Sequence, residues 1–325
     1  MKNIPIVLFL LCLLASCTQD SFTVDSEGAD DTSQRTDISF TQTSNSYIDN
    51  TKAATATPAN IANYGVSCSW YPKDRTYTTA ACGSYFFKVI IDAADGNSGY
   101  YWPGTDYRLS FFAYYPCNNA NLTVVSTQED LGMPQYRYII PSDVSEQVDF
   151  LTCNVIDHIG LSRTPVPLDF NHKCAEMRFA AYNKTTENIT LKSISVVGMK
   201  YKGILFNEHW VLDDDINNES EHPFLFEPTI VIAPDETKDI TGTENHFIVL
   251  PQTITQGTTM IVVKTIEEGE EHIYSYSLPQ DVTFSEGKSY KYKLGLGHGE
   301  LVIDPVNITP WQSVTDFEGN FELAE

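Results

Sequence analysis

Hydrophobic and polar residues alternate along this chain with a period of two over many short stretches. In Tyr107-Arg108-Leu109-Ser110-Phe111-Phe112-Ala113-Tyr114-Tyr115, one face would carry Tyr107, Leu109, Phe111, Ala113 and Tyr115, because successive side chains of a strand point to opposite sides. Ser289-Tyr290-Lys291-Tyr292-Lys293-Leu294 alternates aromatic or aliphatic residues with lysine, the pattern of a strand with one solvated face. Residues 175–181 and 190–197 read the same way. Residues 260–266 and 272–278 flank Glu268 and Gly269 and predict a hairpin with glycine in its turn. With 18 Gly and 16 Pro interrupting any long helical reading, the expected class is all-β, built from sandwiches. A polar, proline-bearing stretch at 160–165 is the expected boundary between a half at 36–160 and a half at 161–325. No fixed-period repeat is visible.

The N-terminus reads as an address. Lys2 precedes an apolar run at 4–14, about the length of a signal-peptide core and too short to span a bilayer. The run ends in Leu14-Ala15-Ser16-Cys17, which resembles a bacterial lipobox. The resemblance implies that residues 1–16 are a lipoprotein signal peptide and that Cys17 carries the lipid on its thiol. The other reading is an ordinary secretory signal with a chance cysteine. Acyl chains contribute about 0.8 kcal/mol per buried CH₂, so two or three of them hold a protein on a membrane. Residues 17–35 are rich in Asp, Glu, Ser and Thr and read as a solvated tether. The acidic residues Asp20, Asp25, Glu27, Asp30 and Asp31 resemble a surface-export signal or are simply part of that linker.

Charge and composition then narrow the function. With 43 Asp+Glu against 20 Lys+Arg, the net charge is -23, which argues against nucleic acid as a partner. Apolar residues at 42% and aromatics at 12% are enough to bury a core, so the chain as a whole is not disordered. Beyond Cys17 stand Cys68, Cys82, Cys117, Cys153 and Cys174. The odd count and the lack of a CxxC pair suit small buried apolar residues, or one disulfide in an oxidising compartment. The seven histidines are scattered, with no HExxH. Residues 213–219 look superficially like a calcium loop, but lack glycine at the sixth position and glutamate at the twelfth. Gly295-Leu296-Gly297-His298-Gly299 precedes another strand pattern, not a helix, which excludes a nucleotide loop there. No catalytic, metal or cofactor residues are assigned, and the chain reads as a non-enzyme.

Several stretches resemble one family in order along nearly the whole chain. They are the lipobox at Cys17; Ile38-Ser39-Phe40, with Thr51-Lys52-Ala53 a dozen residues on; and Tyr101-Trp102-Pro103-Gly104. Leu109-Ser110-Phe111-Phe112-Ala113-Tyr114-Tyr115-Pro116, Pro167-Leu168-Asp169-Phe170-Asn171-His172-Lys173 and Ile308-Thr309-Pro310-Trp311 complete the set. Together they resemble the fimbrillin family, the lipoprotein-derived type V pilins of Bacteroidales.

The resemblance implies two tandem transthyretin-like β-sandwich domains and an assembly route. A lipid on Cys17 would hold the precursor at the outer membrane. A protease would then cut between Lys52 and Ala53 and release a first strand carrying Ile38 and Phe40. A neighbouring subunit's C-terminal segment, with Phe321 and Leu323 on one face, would fill the vacated groove by strand addition. Such head-to-tail contacts do not close, so a filament results. The family has arginine where this chain has Lys52, and cutting at Arg35 would leave the first strand attached. The alternative within the family is an anchor subunit that keeps its lipid.

The implied function is a structural subunit, stalk or anchor, of a cell-surface fimbria serving adhesion and biofilm formation, with other fimbrial subunits as partners. The rival reading is a non-polymerising surface lipoprotein that binds host glycans or proteins through aromatic platforms. Trp70, Tyr100, Tyr101, Trp102 and Trp210 are the candidates for those platforms.

Overall fold

Strand alternation translates directly into the architecture. A computed structural model describes residues 35–43, 61–77 and 83–311, apart from 131, 243–244, 255–256, 279–281 and 298. The signal peptide 1–16, Cys17, the tether up to residue 34, Lys52, Ala53, Cys82, Phe321 and Leu323 lie outside the described residues.

The first ten strands are β1 (Asp37–Gln42), β2 (Asn63–Pro72), β3 (Gly83–Asp92), β4 (Asn97–Tyr101), β5 (Tyr107–Tyr115), β6 (Leu122–Val124), β7 (Tyr136–Ile139), β8 (Leu151–Ile159), β9 (Val166–Leu168) and β10 (Asn171–His172). Eight of them make two sheets, a five-stranded one in the order β10-β8-β5-β2-β3 and a three-stranded one in the order β4-β1-β9. A core joins the two sheets. Ile38, Phe40, Trp102, Val166 and Leu168 meet Val66, Cys68, Phe86, Leu109 and Phe111 there. The predicted face of β5 supplies Leu109, Phe111 and Ala113 to that core. Its other face is buried as well, since Ser110, Phe112 and Tyr114 are all buried and the Tyr71 hydroxyl donates to Ser110.

The remaining strands are β11 (Ala175–Asn183), β12 (Ile189–Val197), β13 (Lys202–Phe206), β14 (His209–Leu212), β15 (Phe224–Phe226), β16 (Ile230–Ile232), β17 (Thr237–Asp239), β18 (Phe247–Val249), β19 (Gln252–Thr253), β20 (Met260–Glu267), β21 (Glu270–Ser277), β22 (Thr283–Phe284), β23 (Lys288–Gly297), β24 (Glu300–Ile303) and β25 (Asn307–Pro310). Eleven of them build a sheet ordered β17-β11-β23-β24, extended by β18 and β25, and a second ordered β15-β12-β20-β21, extended by β16, while β19 pairs with β22. Met177, Phe179, Tyr290, Tyr292 and Leu294 pack with Leu191, Ile194, Val196, Ile261 and Val263 in the core they share. The predicted hairpin is β20 and β21. Glu267 pairs with Glu270, and Glu268 and Gly269 both have positive φ, 53° and 88°, the two-residue turn whose twist matches the strands.

One expectation from the alternation fails. The lysine-bearing face of β23 is not simply solvated, because Ser289 and Lys293 are buried, as are Glu176 and Arg178 of β11 and the nearby His246. Charge pairing and cation–π contact make this tolerable. Glu176 lies 2.5 Å from His246, Arg178 donates to the Gly242 carbonyl at 2.8 Å, and the Lys293 ammonium sits 5.5 Å from the centre of the Tyr182 ring.

A further sheet, β14-β13-β7-β6, combines strands from distant parts of the chain. Lys202 to Leu205 pair antiparallel with Ile139 to Tyr136. Its Tyr136 and Tyr138, with Tyr114 of β5 and Phe150, enter the core shared by the later sheets. The strands β9 and β10, which follow the 160–165 stretch, pair with β1 and β8. The described residues from Thr36 onward form one compact unit, all-β in class.

Candidate functional site

The earliest of the described strands lies inside its sheet, not at its edge. β1 is the middle strand of its sheet, antiparallel to β4 on one side and parallel to β9 on the other. Alternation along Ile38-Ser39-Phe40 sends Ile38 (0% exposed) and Phe40 (4% exposed) into the core. The Phe40 ring meets Phe111 edge-on with centroids 5.2 Å apart, and Phe111 in turn meets Trp102 at 5.9 Å. Burying two such side chains contributes roughly 3–6 kcal/mol. Beyond the ladders, the Trp102 amide donates to the Thr36 carbonyl at 3.0 Å and the Thr43 amide to the Leu168 carbonyl at 3.1 Å. Were β1 to leave, β4 and β9 would both become open edges flanking an apolar slot.

Two residues that the sequence reading did not single out grip this strand. The turn after β3 ends at Gly96, whose carbonyl accepts from the Phe40 amide at 2.9 Å. Gly96 has a φ of 66°, and a Cβ there would overlap the Phe40 carbonyl oxygen. The buried Ser98 hydroxyl donates to the Ile38 carbonyl at 2.7 Å. The Asp95-Gly96 pair is a turn signal visible in the sequence, but nothing local ties it to residue 40.

Four of the resemblance stretches converge here: Ile38 and Phe40, Trp102, Phe111, and Leu168 belong to one core. A fifth touches the 167–173 stretch, since Trp311 stacks on His172 with ring centroids 4.3 Å apart and planes 13° from parallel. The model for fimbrillin-like proteins matches residues 31–311. The chain belongs to the fimbrillin-like family. No curated protein matches it in sequence. Solved structures similar to this fimbrillin-like chain include a proposed cell adhesion protein from Bacteroides ovatus, with a TM-score of 0.55 and 15% identity over 86% of this chain and 98% of that one. Another, from Bacteroides uniformis, has a TM-score of 0.53 and 13% identity over 85% and 98%. A fimbrial assembly protein from Parabacteroides distasonis is similar at a TM-score of 0.42 and 16% identity over 85% and 98%. At these identities the first two likenesses establish the fold.

Other candidate groups of this fimbrillin-like chain have structural partners. In the acidic run, Asp214 pairs with Lys200 at 3.0 Å, Asp213 with Arg137 at 3.6 Å, and Asp215 with Lys202. His172 lies 2.6 Å from the buried Asp149, whose carboxyl burial raises above its ordinary value despite the imidazole. His158 stacks on Trp102 and His222 on Tyr201. Gly295 and Gly297 end β23 and β24 follows, so the glycines serve a strand connection. Among the described cysteines, Cys68, Cys117, Cys153 and Cys174 are free, and all but Cys117 are buried.

Of the aromatic platform residues, Trp102 is core. Trp210 is half-buried and donates its indole N–H to the Lys173 carbonyl at 2.7 Å, while half-buried Trp70 packs edge-on against Tyr107. Tyr100 and Tyr101 remain exposed at 39% and 45%.

Proposed function

We propose that this fimbrillin-like chain is a structural subunit, stalk or anchor, of a cell-surface fimbria. In this reading Cys17 carries the lipid that holds the precursor at the outer membrane. A cut between Lys52 and Ala53 frees β1, and a neighbour's C-terminal segment bearing Phe321 and Leu323 takes its place. The supporting observation is the central, deeply buried position of β1. β1 and β2 are consecutive among the described strands, so a cut between Lys52 and Ala53 severs the covalent link from the later strands to β1. Its departure exposes two edges and the seats of Ile38 and Phe40, which only another strand can satisfy. The subunits would thereby serve adhesion and biofilm formation.

N-terminal sequencing of the surface form tests the reading. Ala53 as first residue, together with polymers that disappear in a Lys52→Ala variant, is the expected result for a stalk. A blocked Cys17 as first residue, in a subunit found only at the filament base, is expected for an anchor. Protein beginning at Ala53 that stays monomeric at high concentration overturns strand addition.

The exposed Tyr100 and Tyr101, with Tyr85 6.1 Å from Tyr100, favour a second reading, a surface lipoprotein gripping host glycans without polymerising. Saturable oligosaccharide binding lost in a Tyr100→Ala, Tyr101→Ala variant, without polymers, would select it.

A further inference from the structure

The pairing between β1 and β4 is irregular at one place. Asp37 stands opposite Tyr101 and Ser39 opposite Asn97, so Ser98, Gly99 and Tyr100 together face Ile38. Gly99 takes a φ of 75° within this bulge. Such a bulge interrupts a ladder and re-aims a side chain. Here the re-aimed side chain is Ser98, only 5% exposed. Its Oγ accepts from the Tyr100 amide at 3.1 Å and donates to the Ile38 carbonyl at 2.7 Å. The first bond orients the hydroxyl for the second. Two residues along, the Gly96 carbonyl takes the Phe40 amide at 2.9 Å. On the other side Phe40, Thr41 and Gln42 run beside Val166, Pro167 and Leu168.

The contacts that Ser98 and Gly96 make to β1 are all to its main chain. Only Ile38 and Phe40 of β1 bury their side chains fully, since Thr41 is exposed and Ser39 and Gln42 are half-buried, the Gln42 amide reaching the Ile61 carbonyl at 3.4 Å. Resting on the reading that β1 is exchangeable, we propose that the slot recognises an incoming strand by its backbone, with Ser98 as the register-setting residue. The slot therefore accepts strands of unlike sequence, including those of non-identical subunits. The requirements are two apolar residues two positions apart and no proline at the second, where the Gly96 carbonyl needs an N–H.

The test uses the full chain carrying an inserted protease site between residues 44 and 60, cut so that β1 stays bound but is no longer covalently held. A fluorescent peptide of residues 35–43 is offered in exchange and its dissociation followed. A peptide with Val and Leu at the two apolar positions should dissociate within about tenfold of the native one, and one with proline at the Phe40 position should not enter. Ser98→Ala should speed dissociation roughly five- to tenfold for both accepted peptides, the worth of one hydrogen bond, while Ser98→Thr keeps the hydroxyl and the slow rate. A backbone ester between Ile38 and Ser39 weakens the carbonyl acceptor. It should cost less in Ser98→Ala than in the parent protein, a coupling that a merely structural serine would not show. An equal ester penalty in both proteins, or rejection of the Val/Leu peptide, overturns backbone reading while leaving strand exchange intact. If no peptide enters at all, exchange itself fails and this inference with it.

Discussion

Two glycines 3 positions apart allow the grip on β1 to be isolated. Gly96 and Gly99 both have positive φ, 66° and 75°, so alanine at either costs about 1–2 kcal/mol of left-handed strain. They differ in what surrounds them. A Cβ on Gly99 meets nothing within 4 Å, whereas one on Gly96 overlaps the backbone of Phe40. Since backbone cannot swing aside as a side-chain tip does, Gly96→Ala pushes the strand from the turn. The Phe40–Gly96 hydrogen bond is then lost, about 1 kcal/mol, together with part of the roughly 1.5–3 kcal/mol gained by burying the Phe40 ring. The excess over Gly99→Ala is roughly 2 kcal/mol, a change of about 30-fold in the opening equilibrium of β1. Amide hydrogen exchange followed by mass spectrometry reads that equilibrium directly in a fragment covering residues 37–42. Gly96→Ala should accelerate exchange there by about that factor beyond Gly99→Ala. Equal acceleration by the two variants would show that close approach at Gly96 contributes nothing to holding the strand.

Two further measurements probe the rest of the fold. Burial raises the Cys68 and Cys174 thiols well above their ordinary value, so brief alkylation of native protein should modify Cys117 among the described cysteines and leave those two untouched until denaturation. Early labelling of Cys174 would contradict the packing. Burial raises the Glu176 carboxyl, but His246, then Ser289 and Arg178, outweigh it and leave the group below its ordinary 4.5. The stability Glu176 contributes is therefore present above that value and lost as pH falls through the lower folded one. The destabilisation caused by Glu176→Gln in urea unfolding should be largest near neutrality and shrink in acid; a difference that grows in acid would reverse the sign.

The extent of the strands was legible in the sequence wherever residue types alternate, whatever covers the second face. β5 matches the expected 107–115, and the β20–β21 hairpin was marked by Glu268-Gly269 between two alternating runs. Two-sided burial was not legible, because alternation reports only that two faces differ. Glu176, Arg178 and Lys293 look solvent-facing until His246, Gly242 and Tyr182 are seen beside them. At the candidate site, Ile38 and Phe40 stood out through their spacing and the resemblance. The seat between β4 and β9 did not, because pairing residue 40 with residues 96 and 166 leaves no trace in either neighbourhood. Ser98 was invisible for the same reason: a lone serine in a polar stretch gains meaning only from the bulge that aims it.

The β14-β13-β7-β6 sheet bears on how the body can come apart. Tyr136 and Tyr138 belong by chain order with the earlier strands, yet their rings fill the later core, and their backbone is laced to Gly203 and Leu205. A gene divided near codon 160 would therefore give one product missing a wall and another carrying orphaned tyrosines. Neither piece would be a self-sufficient building block. Melting of this body should accordingly be a concerted event, with early and late portions surrendering their order together.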